Sequence, residues 1–313
     1  MGWATLTNYY PIQNPQWSVQ SLNPKFQPGF GVGARYAIPA SGKDIQTNWD
    51  HLLTGDSQYV AVNDLSTQWI SPFNQTGPST SELINETGVF YLKEAAAKVG
   101  FDYDQVNLDA GQSVNIGPNM QFRLFAGLTW VRLREQLITT FYNNTSVRPI
   151  PPATAHRDDS LEYISFNNTS TYSGLGPRLG ISGASNLTHG FNFVSQFSGA
   201  ILGGWMRPAQ YSFEAVFDDT VNREKISSRG VSQVVWTGDA RLGLGYSRLV
   251  GNGSILRIES GYRAAVFINP FATYETSTNV LPLDIGSLST NSMRHTPSNF
   301  TLSGFYLTSC LQW

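Results

Sequence analysis

The chain has 313 residues, of which 13% are charged, and its formal net charge is −2. Charged residues make up about a quarter of a typical soluble domain, so the composition argues against an ordinary soluble surface, and the near balance of charge argues against a nucleic-acid partner. The single cysteine, Cys310, excludes an internal disulfide, and no apolar run reaches the roughly 18–20 residues that a membrane helix needs.

The predicted elements are β-strands with two unlike faces, the first of them at about residues 2–10. In FGVGARYAI (30–38) the apolar side chains lie opposite Arg35, and in DIQTNWDHL (44–52) they lie opposite Asp44 and Asp50. Successive side chains of a strand point to opposite sides of the sheet, so this period of two predicts one apolar face and one polar face.

A hairpin is predicted in VNLDAGQSVNIGPNMQFRLFAGLTW (106–130), where Gly117-Pro118-Asn119 is a strong turn signal. One wall of this hairpin is apolar, and the other wall carries Asp109 and Arg123. A slip of one residue would mix the two walls, so the turn fixes the register. The predicted apolar pairs are Ile116–Met120, Val114–Phe122 and Leu108–Trp130.

The same pattern recurs to the end of the chain, in residues 175–182, 191–205, 236–246, 255–268 and about 299–313, which brings the total to ten strands. Large aromatic side chains on these strands suit the borders of the apolar faces, where a membrane meets water. The candidates are Trp49, Trp130, Trp205, Trp236, Tyr246, Tyr262 and Tyr306.

The connections alternate in length. Short turns are predicted at 39–43, 117–119, 186–190 and 251–253, and long loops at 11–28, 54–92, 142–158, 207–229 and 270–297. This predicts an all-β fold in a single domain over 1–313: an up-and-down antiparallel transmembrane β-barrel of about ten strands, with short periplasmic turns and long extracellular loops. In lipid the sheet must close, because each unpaired backbone group costs several kcal/mol there. The alternative is a soluble barrel or sandwich with its apolar faces inside.

The C-terminal segment FYLTSCLQW (305–313) is a second, independent indication. Its hydrophobic residues alternate, and the chain ends on an aromatic side chain. This ending looks like the signal that the assembly machinery reads in bacterial outer-membrane barrels.

Three stretches carry a resemblance to a known family: PGFGVGARYAIPASGKDIQTNWDHL (28–52), FDYDQVNLDAGQSVNIGPNMQFRLFAGLTWVRL (101–133) and SGLGPRLGISG (173–183). They resemble the Legionella-type major outer membrane proteins, and the remaining strands agree in type and order. The resemblance implies a β-barrel in the outer membrane, at the surface of a Gram-negative bacterium, with a porin-like or surface-contact role. It supplies no catalytic residues.

The polar faces gather the charged residues that would line the lumen: Arg35, Asp44, Asp50, Asp109, Arg123, Arg178, Asp239, Arg241, Arg257, Glu259 and Arg263. A barrel of about ten strands is only slightly wider than one that side chains can fill. These charges could therefore pair and plug the lumen, or they could form a narrow, Arg-rich constriction. Six arginines against five acidic residues predict a weak preference for anions if the lumen conducts.

The sequence gives little support for catalysis or for a metal site. HRDDS (156–160) contains residue types of a hydrolase, but neighbouring side chains on a strand end diverge, so we expect no enzyme. Carboxylates in loops, at Asp56, Asp64 and 218–219, lack the spacing of a calcium-binding loop, and no cofactor or metal site is predicted.

Two functions follow from this reading. The first is a porin-like barrel for passive passage of small hydrophilic solutes or ions. The second is a closed structural barrel whose extracellular loops mediate adhesion or envelope contact. The expected partners are membrane lipid, including lipopolysaccharide, and an unknown loop partner. A homo-oligomer is an alternative to a monomer, and its candidate contact patch consists of Gly199, Ala200, Gly203 and Gly204.

Overall fold

The structure is a computed structural model that describes residues 2–6, 17–62, 69–71, 84–85, 88–89, 94–142, 161–187, 189–217, 220–226, 229–250, 254–280 and 288–312. Among these residues, no helix is long and apolar enough to cross a membrane. The strands are β1 (Gly2–Leu6), β2 (Trp17–Ser21), β3 (Phe30–Ala37), β4 (Lys43–Ala61), β5 (Trp69–Ser71), β6 (Ile84–Asn85), β7 (Gly88–Val89), β8 (Glu94–Ile116), β9 (Met120–Tyr142), β10 (Leu161–Asn186), β11 (Phe191–Phe217), β12 (Thr220–Ile226), β13 (Val231–Val250), β14 (Ser254–Val280) and β15 (Leu288–Gln312).

One large sheet contains most of the described residues. Its strands follow each other in the order β3, β4, β8, β9, β10, β11, β13, β14 and β15, and β12 pairs with β11 beside this series. Neighbours in the series are antiparallel. The up-and-down topology predicted from the alternation of short and long connections is therefore confirmed.

The sheet curls until strands that are far apart in its order meet on its inner face. Arg263 Nη1 on β14 lies 2.9 Å from Asp50 Oδ2 on β4, although five strands separate β14 from β4 in the sheet. The segment that leads into β3 also approaches β15, where a Cβ atom placed on Gly304 would lie 3.9 Å from the ring of Phe26. These contacts show that the large sheet is curled into a barrel.

The first strand differs from the prediction. Gly2–Leu6 pairs with β2 and β5 in a separate three-stranded sheet, so the series in the large sheet has nine strands where the sequence predicted ten. Residues 7–10, the rest of the predicted strand, lie outside the described residues. The alternation in GWATL is too short to say which sheet a strand will join.

The β8–β9 hairpin has the predicted turn and almost all of the predicted register. Gly117 has φ of +66°, a left-handed conformation that glycine adopts without strain. Ile116 faces Met120 and Val114 faces Phe122 as predicted, but Trp130 faces Val106, and Leu108 faces Leu128. The predicted Leu108–Trp130 pair was wrong. In a hairpin without a bulge, each step back along β8 is matched by one step forward along β9, so the partner of Leu108 is Leu128.

The strands near the short turns have an apolar outer face. On β9, Leu124 is 59% exposed and Leu128 and Trp130 are also exposed, whereas Arg123 is 7% exposed. The apolar outer face of β9 runs from Met120 to Trp130, a length that matches the roughly 9–11 residues of a strand crossing a bilayer. We call this part of the large sheet the apolar band.

Beyond the apolar band the polarity of the two faces reverses. Arg132 and Arg134 on β9 point outward and are exposed, whereas Val131, Leu133 and Leu137 point inward and are buried. The same reversal occurs on β10, where the outward side chains after Leu161 are mainly Ser, Thr and Asn while Phe166 and Tyr172 are buried inside. We call this part the collar; it is formed by the strand ends on the side of the long connections.

Several predicted loop regions are in fact strand. β4 continues to Ala61, β11 to Phe217 and β14 to Val280, so the predicted loops 54–92, 207–229 and 270–297 begin too early. His295, predicted in a loop, lies in β15 opposite Tyr274. These strand ends keep their backbone pairing in the collar, although their sequence resembles that of loops.

Candidate functional site

The inner face of the apolar band begins, near the short turns, with an aspartate between two arginines. Asp44 on β4 is 3% exposed. Arg123 on β9 donates to it from Nε at 2.9 Å and from Nη2 at 2.5 Å, and Arg35 on β3 donates at 2.7 Å. Between them, β8 presents Gly111, where a Cβ atom would lie 2.5 Å from Arg123 Nε. The glycine thus leaves room for the arginine to cross β8 and reach β4.

A second pair lies further along the same face. Arg178 Nη1 on β10 donates to Asp109 Oδ2 on β8 at 2.5 Å, and Arg178 Nη2 donates to Ser198 at 3.0 Å. The guanidinium groups of Arg123 and Arg178 both lie 5.0 Å from the ring centroid of Phe125. Each of the two cations is therefore attracted to the π-electrons of the Phe125 ring.

The network that crosses the interior consists of Asp50, Asp239, Arg241 and Arg263, and we call it the ion-pair layer. Arg263 bridges Asp50 at 2.9 Å and Asp239 at 2.5 Å. Arg241 lies 3.2 Å from Asp50 and 3.7 Å from Asp239. β4 therefore carries one acid of this layer, while β13 and β14 carry the other acid and both arginines.

The remaining predicted charges pair near the C-terminal strand. Arg257 Nη2 lies 3.6 Å from Glu259 Oε2 on the same strand, β14. Tyr306 on β15 donates its hydroxyl to Glu259 Oε1 at 2.7 Å. Tyr306 therefore faces inward, and its predicted place in the outer aromatic border was wrong. The other border candidates, Trp49, Trp130, Trp205, Trp236, Tyr246 and Tyr262, are exposed.

The charged residues singled out from the sequence thus lie on one face of the sheet, and each has an oppositely charged partner within 4.0 Å. Alternation places them on that face, but it does not say which pairs form. Some hydrogen-bonding capacity remains unused: Asp109 Oδ1 and Asp239 Oδ1 are buried and accept no hydrogen bond within the described part of the chain. This inner surface can still bind water.

A layer of aromatic side chains crosses the interior next to the ion-pair layer, and the sequence analysis did not find it. This aromatic layer consists of Phe101, Tyr103, Phe267, Phe271 and Phe300. The ring of Tyr103 on β8 lies 5.9 Å from Phe267, and Phe101 lies 5.6 Å from Phe300 on β15. Tyr103 joins the two layers, because its hydroxyl accepts from Arg263 Nη2 at 3.3 Å and donates to Gln105. The sequence did contain a signal for this layer: phenylalanines occur on β8, β14 and β15 at positions that alternation assigns to the polar, inward face.

One buried acid lies in the collar. Glu135 on β9 is 7% exposed and points inward between Leu133 and Leu137. Burial raises the pKa of Glu135 to about 7, because a charged carboxylate loses its hydration there. Glu135 is therefore close to half protonated near neutral pH.

The structure shows where some of the other predicted features lie, and the rest fall outside the described residues. His189 lies in the turn between β10 and β11, as predicted, with φ of 54°. Asp56 is in β4, where it accepts from the backbone nitrogen of Asn23 at 2.8 Å. Gly199 and Gly203 face outward, but Ala200 and Gly204 face inward, so the four do not form one surface patch. HRDDS (156–160), Asp64 and residues 218–219 lie outside the described residues.

A curled, up-and-down sheet with an apolar outer band, an outer aromatic border and a charged interior defines the class of outer-membrane β-barrels. The comparison of sequences gives the family. A family model described as Legionella pneumophila major outer membrane protein precursor matches residues 3–312. The chain belongs to this family, and it is an outer-membrane protein. No curated protein and no solved structure matches it.

Proposed function

We propose that the protein is a porin-like barrel with a narrow lumen that passes ions and the smallest hydrophilic solutes. The observation that carries this proposal is the ion-pair layer, in which Arg263 and Arg241 meet Asp50 across the interior. Charged groups enclosed by a membrane barrel are costly to bury, and rings of such groups tune the selectivity of pores. The unused acceptor on Asp239 leaves this layer able to bind water.

The layer would act as a constriction. Arg263 forms the shortest connection across it, to Asp50 on β4 at 2.9 Å, and is held by Asp239 on the neighbouring strand at 2.5 Å. An ion can pass only when these contacts loosen, so we expect small conductance steps. The excess of arginine among the inner charges favours a weak anion preference.

Planar-bilayer recording of the purified protein tests the proposal. We expect small discrete steps, a larger conductance for Arg263→Gln, and a shift of the reversal potential of that variant toward cations. The matched control is Arg223→Gln, since Arg223 on β12 pairs with Glu214 and its side chain is 72% exposed. A wild-type protein without steps, or an equal change in both variants, would contradict the proposal.

The second candidate function is a closed barrel that presents its loops for adhesion or envelope contact. The aromatic layer favours it, because the rings of Phe101 and Phe300 meet across the interior at 5.6 Å. Liposome swelling separates the two functions. A closed barrel gives no swelling in ions or sugars, and shortening its long connections would abolish surface binding without any change in permeability.

The partners and the absence of catalysis are also proposals. The apolar band would contact acyl chains, and the outward arginines of the collar, Arg132 and Arg134, would lie at the level of lipopolysaccharide headgroups in a Gram-negative envelope. We expect no hydrolysis of lipid or peptide substrates, and an activity that disappeared in His156→Ala would contradict this.

A further inference from the structure

Three potential metal ligands lie together on the outer surface, at the border between the apolar band and the collar. His51 on β4 faces Asp104 on β8 in the register of the sheet, and Asp102 lies two residues further along the same face. One ligand atom from each side chain lies within 4.8 Å of the other two. The sequence did not reveal this group, because β4 and β8 are far apart in the chain.

The neighbours of this cluster hold two of the three ligands in place. Asp104 Oδ1 lies 2.8 Å from His51 Nδ1 and accepts from Trp49 Nε1 at 3.2 Å. The His51 ring packs against Phe30, at a centroid distance of 5.3 Å, and against Trp49, at 6.0 Å. Outer partners of this kind orient metal ligands in known sites, and their loss weakens metal binding.

A second observation concerns the hydrogen bonding of Asp102. Asp102 Oδ1 is buried and makes no hydrogen bond within the described part of the chain, although a buried carboxylate oxygen is costly without a partner. Arg134 faces Asp102 and Arg132 faces Asp104 on the neighbouring strand β9. Those arginines would be the competing partners, and yet the buried oxygen of Asp102 has no hydrogen bond from either of them.

We infer that His51, Asp102 and Asp104 bind one divalent cation of the zinc class on the outer wall of the barrel. One imidazole and two carboxylates suit Zn²⁺, which takes three protein ligands and a water molecule at open sites, whereas Ca²⁺ and Mg²⁺ prefer oxygen ligands alone. Metal bonds of roughly 2.0–2.2 Å place two tetrahedral ligand atoms about 3.4 Å apart. The ligand atoms of this cluster lie within 4.8 Å of one another, so their spacing must adjust when the cation binds.

The test is calorimetric titration of the full-length protein in detergent with ZnCl₂. We expect one Zn²⁺ per chain, with affinity at least about tenfold weaker in Trp49→Phe, since an outer partner is worth roughly 10–100-fold. His51→Ala and Asp102→Asn should bind Zn²⁺ more weakly still. His189→Ala is the matched control, because His189 lies in the exposed turn at the other end of the strands, and its affinity should equal that of the wild type.

The outcomes are distinguishable from a failure to fold. Asp102→Asn keeps the shape of the side chain, and the heat-dependent gel mobility of a folded barrel checks each variant. Four results would each overturn the inference. They are the absence of saturable Zn²⁺ binding, unchanged binding in Asp102→Asn, an equal loss of affinity in His189→Ala, and equal competition by Ca²⁺. None of these results depends on whether the barrel conducts.

Discussion

The apolar band and the collar are built from the same strands but have opposite faces. In the band, β9 presents Leu124 and Leu128 outward and Arg123 inward; in the collar, it presents Arg132 outward and Leu133 inward. The backbone pairing with β8 and β10 continues through the change without a shift in register on β9. The solvent outside therefore decides which face is polar: hydrocarbon surrounds the band, and water surrounds the collar.

The two regions are therefore stabilised by different interactions. The collar has a buried apolar core, as a soluble protein has, and gains from the hydrophobic effect. The band has apolar side chains in lipid and must hold its interior together with ion pairs and hydrogen bonds. Four predictions test this difference, from the largest expected effect to the smallest.

The largest effect is expected where the band depends on a buried charge. Asp44→Ala leaves Arg123 and Arg35 without their shared acid, and removing one partner of a buried pair costs about 3–5 kcal/mol. Urea unfolding in lipid vesicles measures this loss. Asp44→Ala combined with Arg123→Met should recover a large part of it, and no recovery would mean that the pair is not the cause.

A charged side chain should destabilise the protein on the outer face of the apolar band but not on the outer face of the collar. Leu124→Arg places a cation in the hydrocarbon region and should cost about 2–4 kcal/mol of unfolding free energy. Gln136→Arg, on the outward face of the same strand in the collar, should change it by less than about 0.5 kcal/mol. Similar losses in the two variants would show that the border does not lie near Trp130.

Much of this organisation could be predicted from the sequence. The turn at 117–119 and the strict alternation of 120–130 fix the register and place Arg123 inside, because both signals are local. The segment KEAAAKVG (93–100) shows the limit. Its composition favours a helix, but residues 94–100 form strand, because Ala95, Ala97 and Val99 fill the inner face of the collar.

The partners within the candidate site could not be predicted in the same way. Asp50 and Arg263 are separated by 213 positions, and only the curl of the sheet brings them together. Alternation assigns each residue to a face but contains no information about which strand lies across the interior. The contact of His51 with Asp104 was hidden for another reason, because the sequence does not fix the register of β4 against β8. The inward orientation of Tyr306 could have been predicted by alternation alone, since its neighbours Phe305 and Leu307 both face outward.

The collar should respond to pH through Glu135. Its folded-state pKa of about 7 lies above the ordinary value of 4.5, so the folded state binds the proton more tightly than the unfolded state. The stabilisation is complete below pH 4.5, falls as the pH rises to 7, and amounts to at most on the order of 3 kcal/mol. Glu135→Gln should flatten this dependence in urea unfolding at pH 4 to 8; an unchanged slope would assign it to another group.

The smallest effect is expected for the exposed ion pair beside the collar. Arg223 Nε on β12 lies 2.5 Å from Glu214 Oε2 on β11, a distance as short as that between Arg123 and Asp44. Water screens this pair, because the Arg223 side chain is 72% exposed, so Arg223→Ala should cost only a small fraction of the loss in Asp44→Ala, and that loss should shrink further in high salt. Equal distances with unequal energies would show that burial, and not geometry, sets the strength of the pairs inside the band. A loss for Arg223→Ala as large as that for Asp44→Ala would remove this distinction.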